Sequence, residues 1–249
     1  MASNLTTSDP TVRLAVDIGG TFTDVVLETL LDRTTVKVLT TPAAPEEGVL
    51  EGVEHVLAQA GIKAGSLGVF LHGTTLATNA IIERKGAKTA LITTEGFRDV
   101  LEIGYESRYN QYDVMIEKPA PLVPRSRRFT VPERVDVHGN ILTKLDEDGL
   151  RSLIPAIVGT GAKSIAVGFM HAYANPAHEL RVGEILSEMA PDVSVSLSSE
   201  VCPEIREFER FTTTSANAYV RPLMSSYLGR LQERLTALGV TCPVLMMTS

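Results

Sequence analysis

Three short strand-like segments open the chain, and the links between them leave little choice of topology. They are VRLAVDI (12–18), FTDVVLETL (22–30) and TTVKVLTT (34–41), joined at Gly19-Gly20 and at Asp32-Arg33. Links that short permit only antiparallel neighbours, because a parallel return needs a long crossover. Residues 45–61 then keep a helical period through Val49, Leu50, Val53, Val56 and Leu57. Pro45 stands at the start, Glu46 and Glu47 in the first turn suit the dipole, and Gly61 closes it. Strand 68–73, helix 75–86 with Gly86 beyond its end, strand 87–94 and a short helix 95–104 follow. The order βββαβαβα predicts an α/β fold with a mixed five-stranded sheet of the ribonuclease-H-like type.

Residues 105–140 break this rhythm with Tyr, Pro and charge and read as an insertion, with a turn at VHGN (137–140). A second α/β segment succeeds it: helix 145–161, kinked or split at Pro155, strand 163–171, helix 176–190 and strand 193–199. A long amphipathic helix over about 204–238 should bend at Pro222, and 243–249 reads as a last strand. An apolar strand that stops at Ser249 without a turn suggests a truncated chain, cut inside a larger protein.

Several partner classes are excluded by composition. The net charge of −7 disfavours nucleic acid, whose binding needs a local Lys/Arg excess. The one compact basic cluster, PRSRRF at 124–129, reads as a solvated loop. The polar start MASNLTTSDPT is a flexible tail over residues 1–11 and not a signal peptide, and no apolar run is long enough for a membrane span. Cys202 and Cys242 show no metal or disulfide spacing, and a cytoplasmic location fits.

The first turn, VDIGGTFTDVV (16–26), carries more oxygen than a core hairpin needs. Neither a Walker loop nor a dinucleotide turn is present, since here the glycines join two strands. Asp17 ends the first strand, where a carboxylate can hold Mg²⁺ through its water shell. Gly19 and Gly20 permit a tight turn that brings N–H groups toward phosphate oxygens. Thr21 and Thr23 share a face by the two-residue period and can donate hydroxyls to phosphate. Asp24 points to the face opposite Thr23 and serves either the site or the turn. On spacing alone, a plain hairpin of good strand formers fits equally.

DIGGTFTDVV is similar to the first phosphate motif of the sugar-kinase/Hsp70/actin ATPase superfamily. More narrowly, four stretches resemble the hydantoinase A/5-oxoprolinase family: 16–26, HGTTLATNAIIERKGAKTALITTEGFRDVLEIG (72–104), SSEVCPEIREFERFTTTSANAYVRP (198–222) and the ending LMMTS. The resemblance implies an actin-like ATPase lobe, with 12–190 as the family's N-terminal region and 191–249 as the start of a following, truncated domain. It also implies ATP and Mg²⁺, a cyclic amide substrate (hydantoin, 5-oxoproline or lactam), a B-type partner subunit and an oligomeric assembly. Relatives carboxylate ketones, and the shared step would be phosphoryl transfer from ATP to an amide or enol oxygen. The family's second phosphate motif and adenosine segment would lie beyond Ser249, so this chain alone would hold half an ATP site.

Other candidates stand on weaker signals. His72, Gly73, Thr74 and Thr75 fall at a strand end before a helix, a usual place for binding groups. Either Thr also fits as a helix N-cap. The resemblance points His72 to catalysis, beside Asp17 and Thr21, and Thr74 and Thr75 to substrate. Asn79 reads as structural. Arg206 and Arg210, four apart, read as an exposed, salt-bridged helix face, or one of them contacts an anionic substrate. FTTTSANAY (211–219) is unusually small and hydroxylic for a helix interior, which suits close packing or an approach to ligand. His171 is a polar-site or turn residue, and His55, His138 and His178 read as surface residues. Against the amidohydrolase stand a sugar-type kinase, which leaves HGTT and PEIREFER unexplained, and a non-catalytic module that only binds a partner.

Overall fold

A computed structural model of the chain describes residues 9–105 and 112–247. Its contacts divide it into two units, residues 1–82 with 223–249, and residues 83–222.

In the first unit, β1 (Asp9–Ile18), β2 (Phe22–Glu28) and β3 (Arg33–Leu39) form the expected antiparallel meander. β4 (Leu67–Thr74) joins β1 in parallel. The sheet is five-stranded and mixed, as expected, but its fifth member is not the strand at 87–94. That place goes to the last strand, Val244–Met246, beside β4, which gives a sheet in which β3, β2, β1, β4 and this strand follow one another.

Helix α1 (Pro45–Ala60) covers the sheet with Val49, Leu50, Val53, Val56 and Leu57, and ends at Gly61 in the left-handed conformation. Buried Leu14, Val16, Val25, Leu27 and Phe70 meet it, together with Tyr227, Leu231 and Leu235 from the distal half of the long helix. Each such side chain, buried, contributes about 1.5–3 kcal/mol. Helix α2 (Leu76–Ile82) is five residues shorter than its pattern suggests, because Arg84 adopts a left-handed φ of 57°.

The second unit is built on a four-stranded parallel sheet. Its strands are β5 (Thr89–Thr94), β6 (Arg128–Val131), β9 (Ser164–Gly168) and β10 (Ser194–Leu197), in the order β10, β9, β5, β6. All six residues of β5 and all five of β9 are buried, as strands covered on both faces require. A small antiparallel pair, β7 (Arg134–Val135) with β8 (Ile141–Thr143), surrounds the expected 137–140 turn, where Gly139 has φ 85°. Residues 112–140 of the expected insertion therefore supply strands of this unit, while 106–111 lie outside the described residues.

The helices here are α3 (Val100–Ile103), far shorter than 95–104, α4 (Glu147–Gly159), α5 (Ala177–Met189) and α6 (Ser198–Val201). Pro155 lies inside α4 without splitting it. Helix α7 (Glu207–Ala237) likewise runs unbroken through Pro222, and its first half belongs to this unit. The closing strand is β11 (Val244–Met246).

Two surface expectations are corrected. His178 is buried, its Nδ1 2.8 Å from the buried Glu133, which also accepts from Thr94. Arg128 of the basic cluster is buried too, donating to the Val123 carbonyl at 2.9 Å and to Glu102 at 3.1 Å. No helix among the described residues is long and apolar enough to cross a membrane.

Candidate functional site

Cross-strand register decides which side chains of the first hairpin share a face. Ile18 pairs with Thr23 and Asp17 with Asp24, so the loop is Gly19–Phe22, closed by the Gly19 N–H donating to the Phe22 carbonyl at 2.9 Å. Residues directly opposite point the same way. Asp17 therefore shares its face with Asp24, and β4 adds Gly73 in register beside Asp17. Two carboxylates directly opposite repel, and Lys37, next in the row, relieves this by pairing with Asp24 at 2.8 Å. Asp17 is exposed and has no such counter-ion among the described residues. Gly73 keeps its surroundings clear: a Cβ there would stand 3.1 Å from Asp17 Oδ1.

Neither hairpin glycine takes a positive φ, so the expected conformational reason for them does not apply. Gly19 answers a close approach, since a Cβ would stand 3.1 Å from the Phe22 carbonyl. Gly20 leaves the turn bare, and among the described residues the backbone N–H groups of Gly20 and Thr21 have no backbone or side-chain acceptor. Thr21 is exposed, and its carbonyl accepts from the Thr40 N–H at 2.9 Å. The arrangement is a surface turn with free N–H donors, an exposed hydroxyl and an exposed carboxylate, which suits a multiply charged oxyanion.

Thr23 does not join them. It is buried on the Ile18 face, its hydroxyl 3.0 Å from that of Thr40, which itself donates to the Gly19 carbonyl at 3.0 Å. These two hydroxyls hold the turn from beneath. Thr75 ties the end of β1 to α2, its N–H and hydroxyl both donating to the Ile18 carbonyl at 3.2 Å. The Thr74 hydroxyl accepts from the Leu76 N–H at 3.1 Å, so it caps the helix start. Asn79 donates to Thr75 at 3.3 Å, and a Cβ on Gly20 would lie 3.5 Å from its amide nitrogen. Its side chain thus supports the turn from α2, as the structural reading of Asn79 expects.

His72 pairs with Val16 and so lies on the buried face, opposite Asp17. It is fully buried, with Nε2 2.8 Å from the Tyr227 hydroxyl and no hydrogen-bond partner for Nδ1 among the described residues. Burial pulls its pKa down to about 4, against the opposing pull of Asp17 and of the Val16 backbone. Burial likewise pushes the Tyr227 phenol up, with Glu46 adding to the effect. An imidazole that stays neutral and is capped by a phenol is a post between β4 and α7.

Arg210 belongs to the second unit and is buried there, unlike the exposed face expected. It donates to the carbonyls of Phe169 and Glu204, each at 2.8 Å, and to Ser198 Oγ at 3.2 Å. The Ser198 hydroxyl donates to Glu179 at 2.6 Å, and Glu179 also accepts from the N–H groups of Phe169 and Ser199. Every nitrogen of this guanidinium is engaged. Arg206 stays exposed and bridges Glu209 at 3.6 Å. Among the described residues no cluster of three or more His, Cys, Asp or Glu could hold a metal ion.

Fold and turn together define the N-terminal lobe of a ribonuclease-H-like, actin-type ATPase fold, followed by a parallel α/β unit. The chain belongs to the hydantoinase/oxoprolinase family, whose N-terminal region matches residues 13–190. It is 40% identical over 232 residues to an uncharacterized protein of Methanocaldococcus jannaschii, covering 91% of this chain and 34% of that one. It is 33% identical to the caprolactamase subunit alpha of Pseudomonas jessenii, over 93% of this chain and 34% of the other. To the 5-oxoprolinase of Saccharomyces cerevisiae it is 34% identical, covering 90% and 20%.

Two solved structures share the fold. ATP-dependent caprolactamase from Pseudomonas jessenii superposes with a TM-score of 0.85 at 32% identity, covering 94% of this chain and 35% of that one. Nucleotide-free acetone carboxylase gives 0.83 at 26%, covering 94% and 36%. The chain spans about a third of the length of the first of these relatives.

Proposed function

We propose that this chain is the N-terminal part of an ATP-dependent amidohydrolase subunit that opens cyclic amides (hydantoin, 5-oxoproline or lactam) by phosphorylating the amide oxygen. The observation that carries the reading is the hairpin turn at 19–21, whose Gly20 and Thr21 N–H groups have no acceptor among the described residues, beside the exposed Asp17 and the bare Gly73. Family membership and ATP-dependent relatives support it. ATP would supply the phosphoryl group, and Mg²⁺ the neutralisation of phosphate charge.

The residues present fit both. The Gly20 and Thr21 N–H groups and the Thr21 hydroxyl would hold phosphate oxygens, and Asp17 would orient the metal's water shell, with Gly73 leaving room for it. Thr23, Thr40, Thr75 and Asn79 position that turn. His72 holds β4 against α7 and takes no proton. A B-type subunit would complete the enzyme in the cytoplasm.

The longer subunit, co-expressed with its partner, tests this. ADP release with Mg-ATP should depend on one of hydantoin, 5-oxoproline or caprolactam, and Asp17→Ala should lower it at least 100-fold. A variant that keeps the full cyclic-amide-dependent rate removes the hairpin from the chemistry. The likeness to acetone carboxylase supports a second reading, a ketone carboxylase. Under it, ADP release requires a ketone and bicarbonate together, and cyclic amides give none.

A further inference from the structure

The row of side chains that contains Asp17 carries a second carboxylate with no part in the nucleotide chemistry. Asp24 stands directly opposite Asp17 across β1 and β2, and Lys37 stands directly opposite Asp24 across β2 and β3. All three project from one face of the sheet. Opposed Cβ atoms in such a ladder lie about 5 Å apart, a span over which two carboxylates can share one divalent cation. Without a competing charge, Asp17 and Asp24 would form a two-carboxylate chelate beside the turn.

Lys37 supplies that charge. Its ammonium lies 2.8 Å from Asp24 Oδ1 and 2.9 Å from Oδ2, so both carboxylate oxygens are taken. It also rests 5.1 Å from the ring centroid of Phe22, the residue whose carbonyl closes the turn. Two partners fix the ammonium better than one exposed ion pair does. Both side chains are about half exposed, so the pair adds little stability, and its effect is on the charge of the face. Asp17 is left as the single uncompensated carboxylate of the row, with Gly73 on its other side. The nearby N–H groups of Gly20 and Thr21, which have no acceptor among the described residues, favour an anion. One carboxylate beside such donors is a poor site for a bare divalent ion. It becomes a good one once phosphate oxygens supply further ligands.

We infer, on the nucleotide reading of the hairpin, that Lys37 sets the order of loading: by holding Asp24 it keeps the divalent cation out until nucleotide phosphates bring it. Lys37 touches neither nucleotide nor metal and is a positioning residue that acts through Asp24. Titration of the chain with Mn²⁺ in the absence of nucleotide, followed by the EPR signal of the free ion, tests this. The unsubstituted chain should bind Mn²⁺ weakly, and Lys37→Met should tighten it about tenfold or more, as two facing carboxylates lose their competing cation. Lys37→Arg, which keeps the ion pair, should bind as weakly as the unsubstituted chain. Adding Asp24→Asn or Asp17→Ala to Lys37→Met should abolish the gain. Equal binding by Lys37→Met and the unsubstituted chain overturns the inference, as does a gain that survives the loss of either aspartate. On the longer unsubstituted subunit, ATP should tighten Mn²⁺. If it does not, the nucleotide reading fails, while the gain in Lys37→Met still reports whether Lys37 withholds Asp24.

Discussion

Asp17 near the end of β1 and Glu179 in the first turn of α5 are both carboxylates, yet the protein treats them in opposite ways. Glu179 is fully buried and accepts from two backbone N–H groups and the Ser198 hydroxyl, with Arg210 one bond further on. Burial raises its pKa while those hydrogen bonds pull it down. Asp17 is exposed, beside a glycine that gives it room, next to a turn whose Gly20 and Thr21 N–H groups have no acceptor among the described residues. A saturated carboxylate holds structure, and one left open in a cleared space can take a ligand.

The sharpest way to break that contrast is to remove Glu179. Glu179→Ala leaves two backbone donors and the Ser198 hydroxyl without their acceptor and takes a nearby counter-charge from the buried Arg210, and should cost about 3–5 kcal/mol, read by urea unfolding. A loss under about 1 kcal/mol would mean that the network is not structural. His72 gives the next largest effect, through pH. Its folded pKa of about 4 lies below the ordinary histidine value of 6.5, so the unfolded chain takes up a proton first as pH falls. Stability should drop between those two values by up to about 3 kcal/mol. His72→Gln should flatten the drop in that window, and an unchanged profile would refute the buried neutral post.

Asp17→Ala should lose at least 100-fold in rate, about 2.7 kcal/mol in the barrier, while its unfolding free energy moves by no more than about 0.5 kcal/mol. A large stability loss would make Asp17 a structural residue like Glu179. The smallest effect is expected at Thr23→Val, which keeps shape and removes the bond to Thr40. Stability should fall by about 1 kcal/mol with the KM for ATP nearly unchanged. A KM raised tenfold without a stability change would return Thr23 to the ligand.

Much of the first unit was legible because short links and the two-residue period act locally. The meander, α1 with its Gly61 cap and the five-stranded mixed sheet all follow from such signals. The identity of the fifth strand was not legible, since Val244–Met246 pairs with β4 across the whole second unit. At the hairpin, the period put Thr21 and Thr23 on one face, but only the register of Asp17 with Asp24 shows which face is open. His72 sat at the right strand end for a binding group, and strand parity put it on the wrong side. Arg210 looked like a solvated helix charge because nothing local announces that Phe169, Ser198 and Glu204 surround it.

The strand that completes the first sheet arrives about 170 residues after the one it pairs with. During synthesis the N-terminal meander must wait, its β4 flank unpaired, until everything between has left the ribosome. The later-made parallel unit carries its own strand partners and is free to fold ahead of the half-built sheet. A stalled or shortened product that stops before Val244 would leave β4 as an unprotected edge, open to pairing with other chains.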